Sequence, residues 1–329
     1  MPDTLPIFHA PKTRRLVSAW VVGDEHGAVL RRIGEFDDIF DQIILCSGQP
    51  QPDGTLNQPW PTDDRKRFCD ELRDMGISPL LLYGGGPEPV KAPGNIAKLF
   101  DAMLDECRQC GADGVDIDFE KWPATDRFLY ADFIAQLSDK LHAEGLMLSA
   151  CVYPISAEGR RETGMTFIDD SLLATHVDHF RYMVYDLFCP PSPYIGPTST
   201  ATWGRETMTY AATRVPRHKM IMGLPTYSVD WDMTDPKRSR QVNDAEFIAA
   251  REKESPIGRG WCYYWDVNLI RYTDELNHPH ALWVSDAKST KSHLVTADSL
   301  DLQGVCFWLL QTCADPAIWQ VVREHFKRW

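Results

Sequence analysis

The chain is predicted to fold as an α/β protein, a (β/α)8 barrel with a small α+β insertion between its seventh and eighth strands. Eight short apolar runs alternate with helix-patterned segments. Alternation of that kind implies a parallel sheet, and eight such units imply a closed barrel. A chain of 329 residues that is 43% hydrophobic can fill a core of that size. Seven units follow one another at similar spacing, whereas the gap between residues 224 and 304 is nearly double, which marks the insertion.

Strands are expected over residues 16–22, 42–46, 79–83, 114–119, 146–152, 179–185, 219–224 and 304–309. Between them, Asn95 opens and Gly111 closes the helical pattern IAKLFDAMLDECRQC, and Thr125 and Gly145 bracket DRFLYADFIAQLSDKLHAE. The long gap carries a helix pattern at 243–254 and strand-like pieces at 261–266 and 280–284. Linkers rich in Ser and Gly, low-complexity tracts and repeats are absent from the sequence. Residues 1–329 are therefore expected to form one domain, with 228–301 as an elaboration of it.

A formal net charge of -13 argues against a nucleic-acid partner. No window approaches the roughly 18 consecutive apolar residues of a membrane span. The N-terminal MPDTLPIFHAPKTRR lacks the apolar core of a signal peptide. Nine cysteines, an odd number, suit reduced thiols in a cytoplasm-like compartment. Cys107 and Cys110 form a CxxC at the end of a helical pattern with no second pair at zinc spacing, so no metal or redox use is assigned to them.

The stretch richest in chemistry is DGVDIDFE, residues 113–120, on the fourth expected strand. Strand side chains alternate, so Asp116, Asp118 and Glu120 share one face while Val115, Ile117 and Phe119 share the other. Same-face neighbours lie roughly 6 to 7 Å apart. Three partly buried anions at that spacing repel one another, and at least one pKa should rise. A carboxyl held protonated near neutral pH is what general-acid chemistry requires. Glu120 ends the strand and lies at the C-terminal rim where barrel active sites sit, with Asp118 and Asp116 progressively deeper. Asp113 is out of phase and is assigned to the strand's start as a structural acid. A divalent-metal reading of the acids fails because three carboxylates on one strand do not converge on an ion without ligands from elsewhere. No cofactor is expected.

DGVDIDFE fills the DxxDxDxE pattern and resembles glycoside hydrolase family 18, which comprises chitinases and endo-N-acetylglucosaminidases. MVYD (183–186), GLPTY (223–227) and GVCFW (304–308) are similar to that family's sixth, seventh and eighth strand motifs. PDGTL (52–56), TYSVDW (226–231) and RYTDELNHPHALWVSDAKSTKSH (271–293) resemble its glucosaminidases of bacterial spore coat and cortex, without the LysM modules those enzymes usually carry.

The resemblance implies a retaining hydrolase cleaving β-1,4 bonds after N-acetylglucosamine in peptidoglycan, chitin oligomers or a related glycan. Glu120 would protonate the glycosidic oxygen, and the nucleophile would be the substrate's own 2-acetamido oxygen. Asp118 would orient that group and stabilise the oxazolinium ion, shifting a proton between Asp116 and Glu120. Tyr185 and Asp186 would hydrogen-bond the acetamido group, with Met183 beside them. Trp308 would floor the sugar site and Tyr227 would add a contact. Trp122 and Trp231 are expected to line the cleft as stacking platforms. Tyr83 stands where the family has the serine of SxGG, at the end of strand three, and is expected to contact substrate from there. Arg181 is expected inside the barrel, where a guanidinium needs an anion, and Asp113 or Asp116 would supply it. A monomer, cytoplasmic or spore-associated, or secreted if a leader has been removed, fits this reading. The alternative is a sugar-binding relative that has lost catalysis, and the presence of Glu120 favours the enzyme.

Overall fold

The computed structural model describes residues 15–24, 27–92, 94–157, 159–160 (backbone only), 165–190 and 192–326. The N-terminal stretch searched for a leader therefore lies, up to residue 14, outside the described residues.

Seven parallel strands run in chain order, β1 (Leu16–Val21), β2 (Gln42–Pro50), β3 (Ser78–Gly85), β4 (Gly114–Phe119), β5 (Met147–Val152), β6 (His179–Met183) and β7 (Met220–Pro225). Five strands of the insertion follow, β8 (Ser228–Asp232), β9 (Arg240–Val242), β10 (Arg259–Cys262), β11 (Val267–Thr273) and β12 (Pro279–Val284), before β13 (Gly304–Trp308) returns to the barrel. Each of β1 to β7 pairs with its successor, β7 pairs with β13, and β13 pairs back to β1. The ring closes, so the barrel presents no unpaired edge.

Helices cover the outside, among them α1 (Ala28–Gly34), α2 (Thr62–Asp74), α3 (Ile96–Cys110), α4 (Arg127–Ala143), α5 (Ala201–Ala211), α6 (Ala245–Glu254) of the insertion, α7 (Ala287–Ser299) and α8 (Ala317–Phe326). Helix α3 shows how the sequence sets such an element. Asn95 precedes it, and Gly111 ends it in the left-handed region (φ 69°), which glycine enters without Cβ strain. Its buried face includes Leu99, Phe100, Met103 and Cys107. Each such large apolar side chain taken from water contributes roughly 1.5 to 3 kcal/mol. Cys107 and Cys110 are both buried on this helix and all nine cysteines are free thiols, so the CxxC fills space in the core. Among the described residues, no helix is long and apolar enough to cross a membrane.

All eight expected barrel strands form, with shifted ends. Strand β2 runs on to Pro50, whereas β6 stops at Met183 and residues 184–185 leave the regular ladder. In the insertion, α6 and β12 lie where the sequence indicated. The piece expected over 261–266 is strand only to Cys262, and it then turns through Asp266 (φ 54°) into β11. Strands β8, β9 and β11 were not legible. Strand β8 reads SVDWD and buries Asp230 and Asp232, an acidic content that argues for a loop until their partners are known.

The insertion is a five-stranded antiparallel sheet in the order β9-β8-β12-β11-β10. One face packs Ile248 of α6 among Ile270, Tyr272, Leu282 and Val284. The other gathers Tyr227, Val229, Trp231 and Trp283, with Trp308 of β13 against them, which ties the insertion to the barrel mouth.

Candidate active site

Register fixes the acid ladder. Asp116 lies opposite Leu82 and Ser149, and Asp118 opposite Gly84, while Val115, Ile117 and Phe119 turn outward and are fully buried under the helices. The acids therefore project into the barrel, as alternation requires.

Asp116 is completely buried. The Trp20 indole N–H donates to its Oδ2 at 2.9 Å, the Cys151 thiol lies 3.3 Å from the same oxygen, and the Ser149 hydroxyl donates to Oδ1. Arg181, also completely buried, brings Nε to 3.6 Å from Asp116 Oδ1. Its other nitrogens donate to Ser18 Oγ (2.8 Å) and Gln42 Oε1 (2.7 Å). Asp116 is thus the anion that Arg181 meets. Asp113 is not, because it precedes β4 at the opposite end from Glu120 and pairs with Arg73 on the outer surface. Removing one partner of a buried ion pair strands the other charge, at a cost of about 3 to 5 kcal/mol. Arg181→Met is expected to lose stability of that order in urea denaturation. An unchanged midpoint would mean that the guanidinium does not compensate Asp116.

Asp118 is mostly buried, and its Oδ1 is enclosed without a hydrogen-bond partner. Burial, followed by the charges of Glu120 and Asp116, pushes its pKa up to about 8. Glu120 is partly exposed; burial raises its pKa, nearby Lys121 lowers it, and Asp186 raises it. The Glu120 backbone is anchored by its N–H donating to Gly85 O at 2.9 Å. Lys121 then reverses the chain in the left-handed region (φ 64°), so the strand stops as soon as its last acid reaches the rim. Two adjacent carboxyls that both favour the protonated form titrate as one coupled unit.

The opposing wall comes from the ends of β6 and β7. Asp186 sits at φ 59°, a region that Asp tolerates, and its backbone N–H donates to Thr198 Oγ1 at 3.0 Å. The Tyr227 hydroxyl donates to Asp186 Oδ1 and accepts from Thr198 Oγ1 at 2.9 Å. Tyr185 stands edge-on to Tyr227, with ring centroids 6.4 Å apart, and burial, followed by the charges of Cys151 and Asp118, pushes its phenol well above the ordinary value. Gly223 makes room there, since a Cβ would lie 2.8 Å from the Tyr182 carbonyl oxygen and 3.3 Å from the Tyr185 ring. Met183 is buried beneath this wall. Trp308, at the end of β13 and partly exposed, packs edge-on against Trp20 at 6.0 Å. A cleft of about 650 Å³ opens over the acids, with Gln49, Gln51, Gly85 and Glu88 among its walls and Asp118 and Glu120 on its floor.

The structure thus brings together Glu120, Asp118, Asp116, Tyr185, Asp186, Tyr227, Met183 and Trp308. Three expected cleft residues lie elsewhere. Tyr83 alternates with inward-facing Leu82 and Gly84, so it points out of the barrel and donates from its hydroxyl to Glu106 of α3 at 2.7 Å. Trp122 is 2% exposed and stacks on Phe119 (5.8 Å) and Phe167 (5.3 Å) behind the strand. Trp231 is 1% exposed and donates to Gly196 O (2.8 Å) in the segment that leads into α5. Tyr83 serves the core as a hydrogen-bond donor, and Trp122 and Trp231 pack there in place of exposed stacking. Sequence reasoning missed Trp20, Ser149 and Cys151 around Asp116. The period-2 rule applied to residues 16–22 and 146–152 puts these three on one inward face and could have found them. Thr198, on a loop distant in sequence, gave no such signal.

The family described as "Glycosyl hydrolases family 18" matches residues 83–312, which include the whole acid ladder and the wall built from the ends of β6 and β7. The cortical fragment-lytic enzyme of Bacillus subtilis is 25% identical over 236 residues, covering 70% of this chain and 53% of that protein. The chain spans between about half and two thirds of the length of the curated relatives it matches. Among solved structures, the spore cortex-lytic enzyme SleL of Bacillus cereus superposes with a TM-score of 0.86 at 19% identity, over 96% of this chain and 75% of that one. A chitinase from Chromobacterium violaceum superposes with a TM-score of 0.84 at 20% identity, over 96% of this chain and 100% of the other. With the family match spanning most of the chain and a barrel that carries its acids on the fourth strand, this chain belongs to glycosyl hydrolases family 18.

Proposed function

We propose that the protein is a retaining, substrate-assisted glycosidase that cleaves β-1,4 bonds following N-acetylglucosamine in peptidoglycan of the spore-cortex type. The observation that carries this reading is the placement of Asp118, enclosed with Oδ1 unpartnered, next on the same face to Glu120 at the cleft rim, where burial pushes its pKa up to about 8. A neutral Asp118 at pH 7 can accept a hydrogen bond from the acetamido N–H through its carbonyl oxygen while sharing its proton with Asp116. This arrangement leaves Glu120 free to act on the leaving oxygen.

In the first step Glu120 gives its proton to the glycosidic oxygen and the C1–O bond breaks. The acetamido carbonyl oxygen of the same sugar bonds to C1 and forms an oxazolinium ion. Asp118, losing its proton toward Asp116, faces the developing positive charge, and Asp186 and Tyr185 hold the acetamido group from the far wall. Water then attacks C1, Glu120 takes its proton, and the ring opens with the β configuration kept. Trp308 offers an apolar face to the sugar. A cortex substrate supports a spore-associated location.

The substrate reading is tested by digesting purified cortex peptidoglycan and N-acetylglucosamine oligomers in parallel and resolving the products by mass. Muropeptides with N-acetylglucosamine at the new reducing end, released faster than oligomer products, are expected. Rapid turnover of chitin oligomers with intact peptidoglycan would move the assignment to chitin fragments.

A further inference from the structure

The insertion holds a second cluster of titratable side chains, made by three strands and separate from the acids of β4. Asp232 ends β8, Asp274 and His278 occupy the turn between β11 and β12, and His280 is the second residue of β12, opposite Asp232 and Tyr272 in register. Asp232 Oδ1 accepts from the backbone N–H groups of Thr234 and Asp235 at 2.8 Å each, leaving Oδ2 to face His278 Nδ1 at 2.9 Å. Oxygens or nitrogens of Asp232, Asp274 and His278 lie within 4.8 Å of one another.

The independent observation is His280. Its ring is 7% exposed and stacked on Tyr272. Nδ1 is held at 3.1 Å by both Asp230 Oδ1 and the Tyr272 hydroxyl. Nε2 is enclosed, makes no hydrogen bond, and points at Asp232 Oδ2 and Asp274 Oδ2 across 3.7 and 3.6 Å. With Nδ1 taken up by Asp230 and Tyr272, Nε2 is left aimed at two carboxylates without a hydrogen bond to either, and a cation placed between them would engage all three groups. These gaps exceed the roughly 2.7 to 3.2 Å of a hydrogen bond. They lie at the upper end of a tetrahedron's edge, which for metal–N and metal–O bonds of about 2.0 to 2.2 Å is about 3.3 to 3.6 Å, whereas the 2.9 Å Asp232–His278 contact would open on binding. A carboxylate holding the far nitrogen of a histidine, as Asp230 does, is the usual outer support of a metal-bound imidazole.

Arg238 covers this group, with Nη2 2.9 Å from Asp274, Nε 3.6 Å from Asp232 and Nη1 3.2 Å from His278 Nδ1. His278 Nδ1 cannot satisfy both neighbours, because as a donor to Asp232 it opposes an arginine N–H and as an acceptor it opposes a carboxylate. The Arg238 side chain is 40% exposed and has room to swing into solvent.

We propose that Asp232, Asp274, His278 and His280 bind one divalent transition-metal ion of the zinc class, displacing Arg238 and pinning the β11–β12 turn to β8. Two imidazoles and two carboxylates suit zinc and its neighbours better than calcium or magnesium.

The test is calorimetric titration of Zn2+ into protein freed of metal by chelator dialysis, with melting temperature and X-ray absorption recorded on the loaded sample. One equivalent should bind, with only nitrogen and oxygen neighbours. At a hundredfold excess over Kd it should raise the Tm by about 5 °C. His278→Ala and Asp274→Ala, both at the solvent edge, should each weaken binding at least about 100-fold, and Arg238→Ala should tighten it. Absence of binding, sulfur neighbours that point to the free cysteines, or affinity unchanged in both ligand variants would each overturn the site. Should either ligand variant fail to fold, stoichiometry and the absorption spectrum of the wild type decide.

Discussion

Glu120→Gln is expected to lower kcat by about 1,000-fold, with KM within a few-fold of wild type. The amide keeps the shape of the side chain and the Gly85 anchor of its backbone, but it has no proton to give the leaving oxygen. General acid catalysis contributes typically 10² to 10⁴ in rate, so a loss of this size is what removal of the acid alone should produce. Stability should hold or rise slightly, because a carboxyl whose pKa burial raises is replaced by a neutral group. Retention of more than a tenth of the activity would remove Glu120 from the role of acid.

Asp118→Asn is expected to cut kcat by a similar order while making the folded protein more stable at alkaline pH. The folded-state pKa of about 8 stands above the ordinary 3.8 of the free group. Between those values the native state holds a proton that the unfolded chain releases, so stability falls as pH rises through that window and levels off above about 8. Asparagine carries no such proton. The variant's advantage over wild type should therefore be absent near pH 4 and grow toward pH 8 or 9. One pKa unit corresponds to about 1.4 kcal/mol, but one edge of Asp118 faces the open cleft and solvent screens it, so a gain on the order of 2 kcal/mol is expected. Parallel denaturation series at pH 5 and pH 8.5 read this directly. A variant less stable than wild type at pH 8.5 would show that Asp118 is not held against its charge.

Alternation explains most of what the sequence revealed. The acid ladder, its apolar reverse face, the eight strands and the C-terminal end of α3 all follow from local periodicity and capping, which act over a few residues. Trp122 and Trp231 went wrong because residue type says that an aromatic can stack, whereas only the fold says on what, and Tyr83 because its place in the motif does not name its partner. Each found its partner in a helix or loop remote in sequence. Strand β8 stayed hidden for the same reason, since its buried Asp230 and Asp232 become intelligible only beside His280 and His278, contributed by the hairpin some fifty residues later. Arg181 lay between these cases. Its inward direction followed from alternation and its need for an anion from electrostatics, but choosing Asp116 over Asp113 needed the depth of each acid in the barrel.

Substrate assistance is tested most directly by proton NMR of the first products from N-acetylglucosamine oligomers, run beside oligomers in which the acetyl groups have been removed. The β-anomer should appear first from the acetylated substrate and convert slowly to the equilibrium mixture, and the deacetylated oligomers should resist cleavage. An initial α-anomer, or equal cleavage of the deacetylated chains, would contradict a mechanism in which the substrate's own acetamido oxygen is the nucleophile.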